Sequence, residues 1–484
     1  MKLKYLLLSL LVLGAATFVS CSTDNDAINE TTEKAKTLKT SSALTYVSIF
    51  SDEDCTLPLV ENVPLTGSVT NVNFVLTYGM NNVYVKYPTA NGTKVIEMTV
   101  PDATPSASTS KLKADPGSYE YFMTESDRYI TLPVALPEDA VKNYVTNEDG
   151  FTNYHSSGVA MFEDTWPSKS NVDNASGGGL FGDFNDLVVD YDLEATVNDE
   201  ANSSQTWKED LKVVMHVRAM GGGYPQKFGL LLEGLDKKFV DESKTEIKVT
   251  LGNYATAVDP LTAEVKWDGN HPIIYINELQ KLINKTSAAA NGLTLTKVGS
   301  SNLYNTSNDV NLNVAKGLFT ITVTFRGIDR NQLTKDEGDA QIENYKNAVI
   351  NTREQNFFLV TKQAGKTYEI HMQNYAPTSF YTTYETDKTD KAAGVVVPKD
   401  DTKTYTSADG QIWAFKTPVL TRHATEHSAF ASAYPMYLDW VVNHNASSAN
   451  WYIFENANHE TGPDMVTFAN GVKKNPLIYI IEEW

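Results

Sequence analysis

Two cysteines, Cys21 and Cys55, are all that the 484 residues contain. If Cys21 is modified, no disulfide can form within the chain, and stability must come from buried apolar area or bound metal. Basic residues are also scarce, with 40 Lys and Arg against 60 Asp and Glu and a formal charge of −20. A surface of that sign repels phosphate backbones and anionic lipid, and no basic cluster follows the N-terminal segment, so no nucleic-acid partner is expected. Gly-x-Ser-x-Gly and phosphate-loop patterns are missing. The GGG runs at 177–179 and 221–223 lack the setting that phosphate binding needs and read as tight or left-handed backbone.

What is present begins with export. Lys2 and Lys4, an almost unbroken apolar run over residues 5–19, Ser20 and then Cys21 have the layout of a bacterial secretion signal. The run falls short of the ~20 residues of a spanning helix. With its cysteine directly after the cleavage point, the segment 1–20 resembles a lipoprotein signal, which implies acylation of Cys21; Phe18 departs from the usual aliphatic residue. Loss of Lys2 and Lys4 with the signal takes the charge to −22. Residues 21–43 carry Ile28 as the one large apolar residue before Leu38, and read as a flexible tether. Asp24 and Asp26 resemble the acidic surface-export signals of Bacteroidetes lipoproteins, although an ordinary solvated linker has the same composition. The expected location is the outer membrane, lipid-anchored and surface-exposed, with the lipid as the only membrane contact.

The pattern after the tether predicts an all-β protein of β-sandwich domains with few short helices. Phe319, Ile321, Val323 and Phe325 alternate with threonines, as a half-buried strand requires. Leu211, Val213, Met215 and Val217 share one strand face, with His216 and Arg218 opposite. Short tyrosine-rich strands are predicted at 83–87 and 118–123, and Asn91-Gly92, Asp149-Gly150 and Asp409-Gly410 mark turns. Helical spacing occurs at 277–284, within 433–443 and inside the polar stretch 328–350. The expected division is a small β-sandwich over 44–150 and a second β-rich region over 151–484.

GDFNDLVVDYDLE, residues 182–194, carries the distinctive chemistry. Leu187, Val189, Tyr191 and Leu193 take one strand face, leaving Asp186, Val188, Asp190 and Asp192 on the other. Asp183 and Asn185 precede the strand. Acids this dense repel one another unless a cation sits among them, and Ca²⁺, which takes six to eight oxygens at ~2.3–2.6 Å, is the extracellular candidate. A solvated acidic face behind an Asx turn is the plain alternative.

The segments VAMFEDTWPSK, DFNDLVVDYDLE and LKVVMHVRAMGGGYPQKFGLLL together resemble the LruC domain of bacterial surface and secreted proteins. Phe162, Glu163, Asp164, Trp166 to Lys169 and Asp183 to Tyr191 carry the signature, and EIHMQNYAPTSFY, DGQIWAF, AYPMYLDWVV and NWY continue it, so the likeness spans about 159–452. The resemblance implies an all-β fold with an Asp-rich, calcium-binding loop and no established enzymatic activity. Its pattern passes from Trp-Pro-Ser-Lys directly into Gly-Asp-Tyr-Asp-Phe-Asn-Asp. This chain inserts SNVDNASGGGLF instead and has Phe181 where the first aspartate would fall. Asp173 in the insertion is a substitute ligand, beside Asp183, Asn185, Asp186 and Asp190, with Glu163 and Asp164 as completions.

His423, Glu426 and His427 spell H-x-x-E-H, the pattern of inverted zinc peptidases, which requires both histidines on one helix face. Pro418, Pro435 and a thin apolar stripe make a poor helix there. Tyrosine, at 25 residues, is mostly strand material, though an exposed share can stack on sugar rings. The expectation is therefore a non-enzymatic envelope lipoprotein whose calcium-organised sandwich binds a glycan or protein partner. A secreted zinc hydrolase and a structural subunit of a surface assembly are the alternatives.

Overall fold

The computed structural model describes residues 44–437 apart from 56, 78–79, 101–126, 145–150, 169–181, 199–208, 253–258, 294, 299, 307–317, 390–403, 406–411, 418–420 and 427. It also describes Trp451 and the pairs 466–467 and 473–474. Cys21, the tether, the strand predicted at 118–123, the turns at 149–150 and 409–410, Asp173 and His427 lie outside the described residues.

The chain runs through β1 (Tyr46–Phe50), β2 (Pro58–Pro64), β3 (Thr70–Thr77), β4 (Asn82–Thr89), β5 (Gly92–Thr99) and β6 (Asp127–Val134). Next come β7 (Phe151–Phe162), β8 (Leu187–Asn198), β9 (Asp210–Ala219), β10 (Pro225–Leu232), β11 (Glu246–Leu251), β12 (Thr262–Asp268) and β13 (His271–Asn277). A small hairpin, β14 (Thr296–Val298) and β15 (Ser301–Leu303), precedes β16 (Phe319–Arg326), β17 (Gln355–Gln363), β18 (Lys366–His371) and β19 (Ala414–Thr417). The architecture is all-β, as the alternation predicts.

Three sheets stack in layers. The central eight-stranded sheet has the order β11-β16-β9-β8-β7-β3-β6, with β19 paired to β7. One of its faces packs on the five-stranded sheet β12-β13-β10-β17-β18, the other on the four-stranded sheet β2-β1-β4-β5. β8 explains why the sheet is buried on both sides. Leu187, Val189, Tyr191, Leu193, Ala195 and Val197 enter the first core with Phe228, Ile274 and Phe357. Each of the leucines, valines, isoleucine and phenylalanines among them contributes about 1.5–3 kcal/mol relative to exposure. Val188, beside Val159 and Met161 of β7, enters the second core with Ile49, Phe74 and Val83. β3 and β6 come from the stretch before residue 150, yet they extend the same sheet, β3 lying parallel to β7 at Phe74 and His155.

The alternation on β16 holds as predicted: Phe319, Ile321, Val323 and Phe325 are fully buried and the threonines half-buried. Asn91-Gly92 closes the β4–β5 hairpin, with Gly92 at φ +124°. The polar stretch 328–350 contains the helix Lys335–Ile350, opened by a capping box between Thr334 and Glu337 and seated through Ile342, Tyr345 and Val349. At 277–284 only a 3₁₀ turn forms, Leu279–Leu282. The α-helix starts later, at Lys285–Ala290, because Asn284 accepts from the Thr286 and Ser287 amides and so fixes the N-cap there. Ahead of the stretch 433–443 a single turn forms at Phe430–Ala433 and ends before Pro435; Tyr437 is buried, and residues 438–443 lie outside the described residues. Among the described residues no helix is long and apolar enough to cross a membrane.

Candidate functional site

The end of β7, the loop before β8 and the turn after β9 converge on one corner. Glu163 and Asp164 follow β7 directly, and both are buried. Glu163 Oε1 accepts from the amides of Asp183 (2.9 Å) and Phe184 (2.7 Å). Two left-handed residues, Gly182 (φ +69°) and Phe184 (φ +51°), bend the loop to make this possible. A left-handed phenylalanine costs about 1–2 kcal/mol. Its ring, wholly buried edge-on to Phe415 (4.8 Å) and Phe430 (5.7 Å), offsets that with a burial term of about 1.5–3 kcal/mol.

Asp164 Oδ2 accepts from the Tyr224 amide at 2.9 Å, and the Asp164 amide donates to Asp186 Oδ2 at 2.7 Å. Burial, then the carboxylates of Asp164, Glu163 and Asp183, push Asp186 well above the ordinary carboxyl range. Burial likewise raises Asp164. Glu426 arrives from the far end of the chain and is pushed up to about 7, by burial first and then by Glu163 and Asp164. Asn185 has no exposure; its Nδ2 donates to the Ala424 carbonyl at 3.1 Å, while its Oδ1 has no hydrogen-bond partner.

Gly221 and Gly222 form the floor. A Cβ on Gly221 would stand 2.5 Å from Asn185 Oδ1 and 2.6 Å from Glu426 Oε2. One on Gly222 would overlap Asp164 Oδ2 and come within 2.9 Å of Asp186 Cβ. These two glycines are demanded by close approach of acids, not by left-handed backbone, and the GGG run was legible only as a tight segment.

Of the residues expected to act together, Glu163, Asp164, Asp183, Asn185 and Asp186 are brought to this corner. Asp190 is not. It lies further along β8, where its Oδ1 is 2.6 Å from Arg218 Nη2, both side chains at most 2% exposed. Burial lifts Asp190 to about 6 despite the opposing pull of Arg218. Other buried acids of this fold are paired likewise, Glu209 with Arg330 (2.8 Å) and Asp210 with Arg326. The charges bearing on Asp186, by contrast, are carboxylates.

Among the described residues no three Asp, Glu, His or Cys side chains stand as a finished metal-ligating group, and amides bond part of the carboxylate oxygens. The donor set nevertheless fits a hard cation: it is all oxygen and anionic, and it includes a buried amide oxygen facing a gap kept open by glycine.

Within the H-x-x-E-H segment the described residues 423–426 are not helical. His423 is buried with Nε2 2.7 Å from the Asn305 carbonyl, so this nitrogen donates, and the Glu426 amide donates to Thr306 at 2.6 Å. Burial, then the charge of Arg218, lowers His423 to about 3. An unfolded histidine protonates near pH 6.5, so this residue's contribution to stability is lost as pH falls from there toward 3. His423→Gln, which keeps a donor and takes no proton, should therefore lose less stability than the parent below pH 6.5. The difference should reach up to about 1.4 kcal/mol per pH unit in urea melts, and parallel pH profiles would contradict it.

Residues 209–452, just over half of the chain, match the family described as Domain of unknown function (DUF4842). The chain belongs to the DUF4842 family. The DUF4842 segment opens at β9 and supplies Arg218, Gly221, Gly222 and Glu426, whereas Glu163 to Asp190 lie just ahead of it. The chain is also similar to the crystal structure of a candidate lipoprotein from Bacteroides ovatus, at 26% identity and a TM-score of 0.60, covering 86% of this chain and 98% of that one. A match to the full-length major pilin RrgB of Streptococcus pneumoniae, at 9% identity and a TM-score of 0.13 over 62% of this chain and 43% of that one, carries no argument. No curated protein matches the chain.

Proposed function

We propose that this DUF4842 protein is a non-enzymatic envelope lipoprotein, anchored through Cys21 and exposed on the outer membrane. In this reading Ca²⁺ organises the acid corner, and the layered sheets present a surface to a glycan or protein partner. The signal layout supports the anchor, as does similarity to the Bacteroides ovatus structure, itself described as a candidate lipoprotein. The LruC resemblance supports the calcium. One observation carries the metal reading: amide hydrogen bonds draw Glu163, Asp164, Asp183 and Asp186 into one corner, beside which Asn185 Oδ1 is buried without a hydrogen-bond partner. The non-enzymatic reading draws on His423, whose Nε2 is committed to a backbone carbonyl.

Calorimetric titration of the chelator-treated chain should give saturable heat with Ca²⁺, with a Kd of about 0.1–1 mM if the site behaves as other extracellular modules do. At about 100 times Kd the ion should add roughly 2.7 kcal/mol of stability. Asp183→Ala combined with Asp186→Ala should abolish both effects. Absence of heat in the parent chain would remove calcium from the proposal and leave the anchor untouched.

A further inference from the structure

We infer that Glu426 and Asn185, across the gap over Gly221, form the closing side of the cation site, so that a bound ion clamps the segment 421–430 onto the Asp-rich loop. The inference rests on the cation reading above and adds a residue that lies about 240 positions from the rest. Its first support is the gap itself. Asn185 Oδ1 and Glu426 Oε2, at 2.5 and 2.6 Å from where a Gly221 Cβ would lie, face one opening from opposite strands of chain. Asn185 Oδ1 is buried with no partner, a state that costs about 1–3 kcal/mol unless something fills the position it faces. The adjacent Gly222 has Asp164 and Asp186 at the same close approach, next along the floor.

The second support is how 421–430 is held. It meets this corner through an apolar contact, the Phe430 ring edge-on to Phe184 (5.7 Å), and through polar ones: Asn185 Nδ2 to the Ala424 carbonyl, the Phe430 amide to the Gly182 carbonyl (3.0 Å), and Arg218 Nη1 to the Thr421 carbonyl. The Glu426 side chain, hydrogen-bonded to Thr306, stands where the like charges of Glu163 and Asp164 bear on it. An ion bridging them converts that repulsion into attachment, which makes the C-terminal segment responsive to Ca²⁺.

The test uses the whole chain in detergent and Ca²⁺ alone as the probe, with calorimetry and hydrogen exchange of amides 421–430 read in parallel. In the parent, Ca²⁺ should slow exchange of these amides. Glu426→Gln, which keeps size and removes charge, should bind about tenfold or more weakly and lose the slowing, a deficit of ~1.4 kcal/mol in binding. Gly221→Ala fills the gap without altering charge and should weaken binding as much. Both variants are compared only with far-UV spectra matching the parent. Parent-like binding by either variant overturns the closing role while the calcium reading stands. A parent that binds no Ca²⁺ overturns both.

Discussion

Arg218→Ala is expected to destabilise the protein by about 3–5 kcal/mol, read as a lowered urea midpoint, because it strands a carboxylate in the interior. Asp190 and Arg218 meet at 2.6 Å with almost no solvent contact, and Arg218 also donates to the Thr421 carbonyl. Removing the guanidinium leaves two acceptors without their donor and one charge without its partner. Protonation of Asp190 softens the loss, since its carboxyl already sits near 6. The penalty should therefore be smaller at pH 5 than at pH 8, the charged form being the costly one. Replacing both residues by leucine should cost far less, as a buried pair exchanged for apolar side chains is often close to neutral. A loss below about 1 kcal/mol for the single variant at pH 8 would mean that water reaches the pair.

Trp166→Ala should cost a similar amount, about 3–5 kcal/mol, for a different reason. Trp166 is 3% exposed and lies flat on Tyr384 at 5.8 Å. Tyr368 (6.0 Å) and Tyr381 (6.2 Å) meet it edge-on, and Tyr405 is tilted against it at 5.1 Å. Its deletion opens a void among four aromatic rings from β18 and the segments that follow it, and rings of this size cannot close it without moving backbone. Trp166→Phe should recover roughly half, since part of the area and the edge-to-face contacts remain. If thermal and urea melts of Trp166→Ala matched those of the parent, the tyrosines would have to collapse freely into the space.

The two variants mark how far the sequence could be read. Strand faces were legible because alternation is local: the burial of Phe319 to Phe325 and of Leu187 to Val197 follows from period two alone. The same logic put Asp190 on the face of Asp186, but Asp186 lies just ahead of β8 and Asp190 meets Arg218 instead. What alternation cannot give is strand register, and it is the β8–β9 register, with its shift between Val188 and Val189, that brings Arg218 to Asp190. Glu163, Asp164 and Asp183 were legible through the LruC resemblance, ahead of the matched DUF4842 segment. Glu426 was visible only as a fragment of a zinc motif, because nothing local records that 421–430 lies on the Asp-rich loop. Trp166 belonged to the signature too, but its role as an aromatic hub depends on tyrosines some 200 residues downstream.

The second core has a consequence for the order of folding. Ile49, Phe74 and Val83 share it with Phe415, Phe430, Tyr437 and Trp451, so its first and last contributors are separated by nearly the whole chain. A polypeptide that emerges N-terminus first can cover β1, β3 and β4 with Ile130, Leu132, Val159 and Met161 of β6 and β7, yet it lacks Phe415, Phe430, Tyr437 and Trp451 until the end of the chain has arrived. Completion of that layer is thus a late and long-range event, slower than pairing of its early strands with one another.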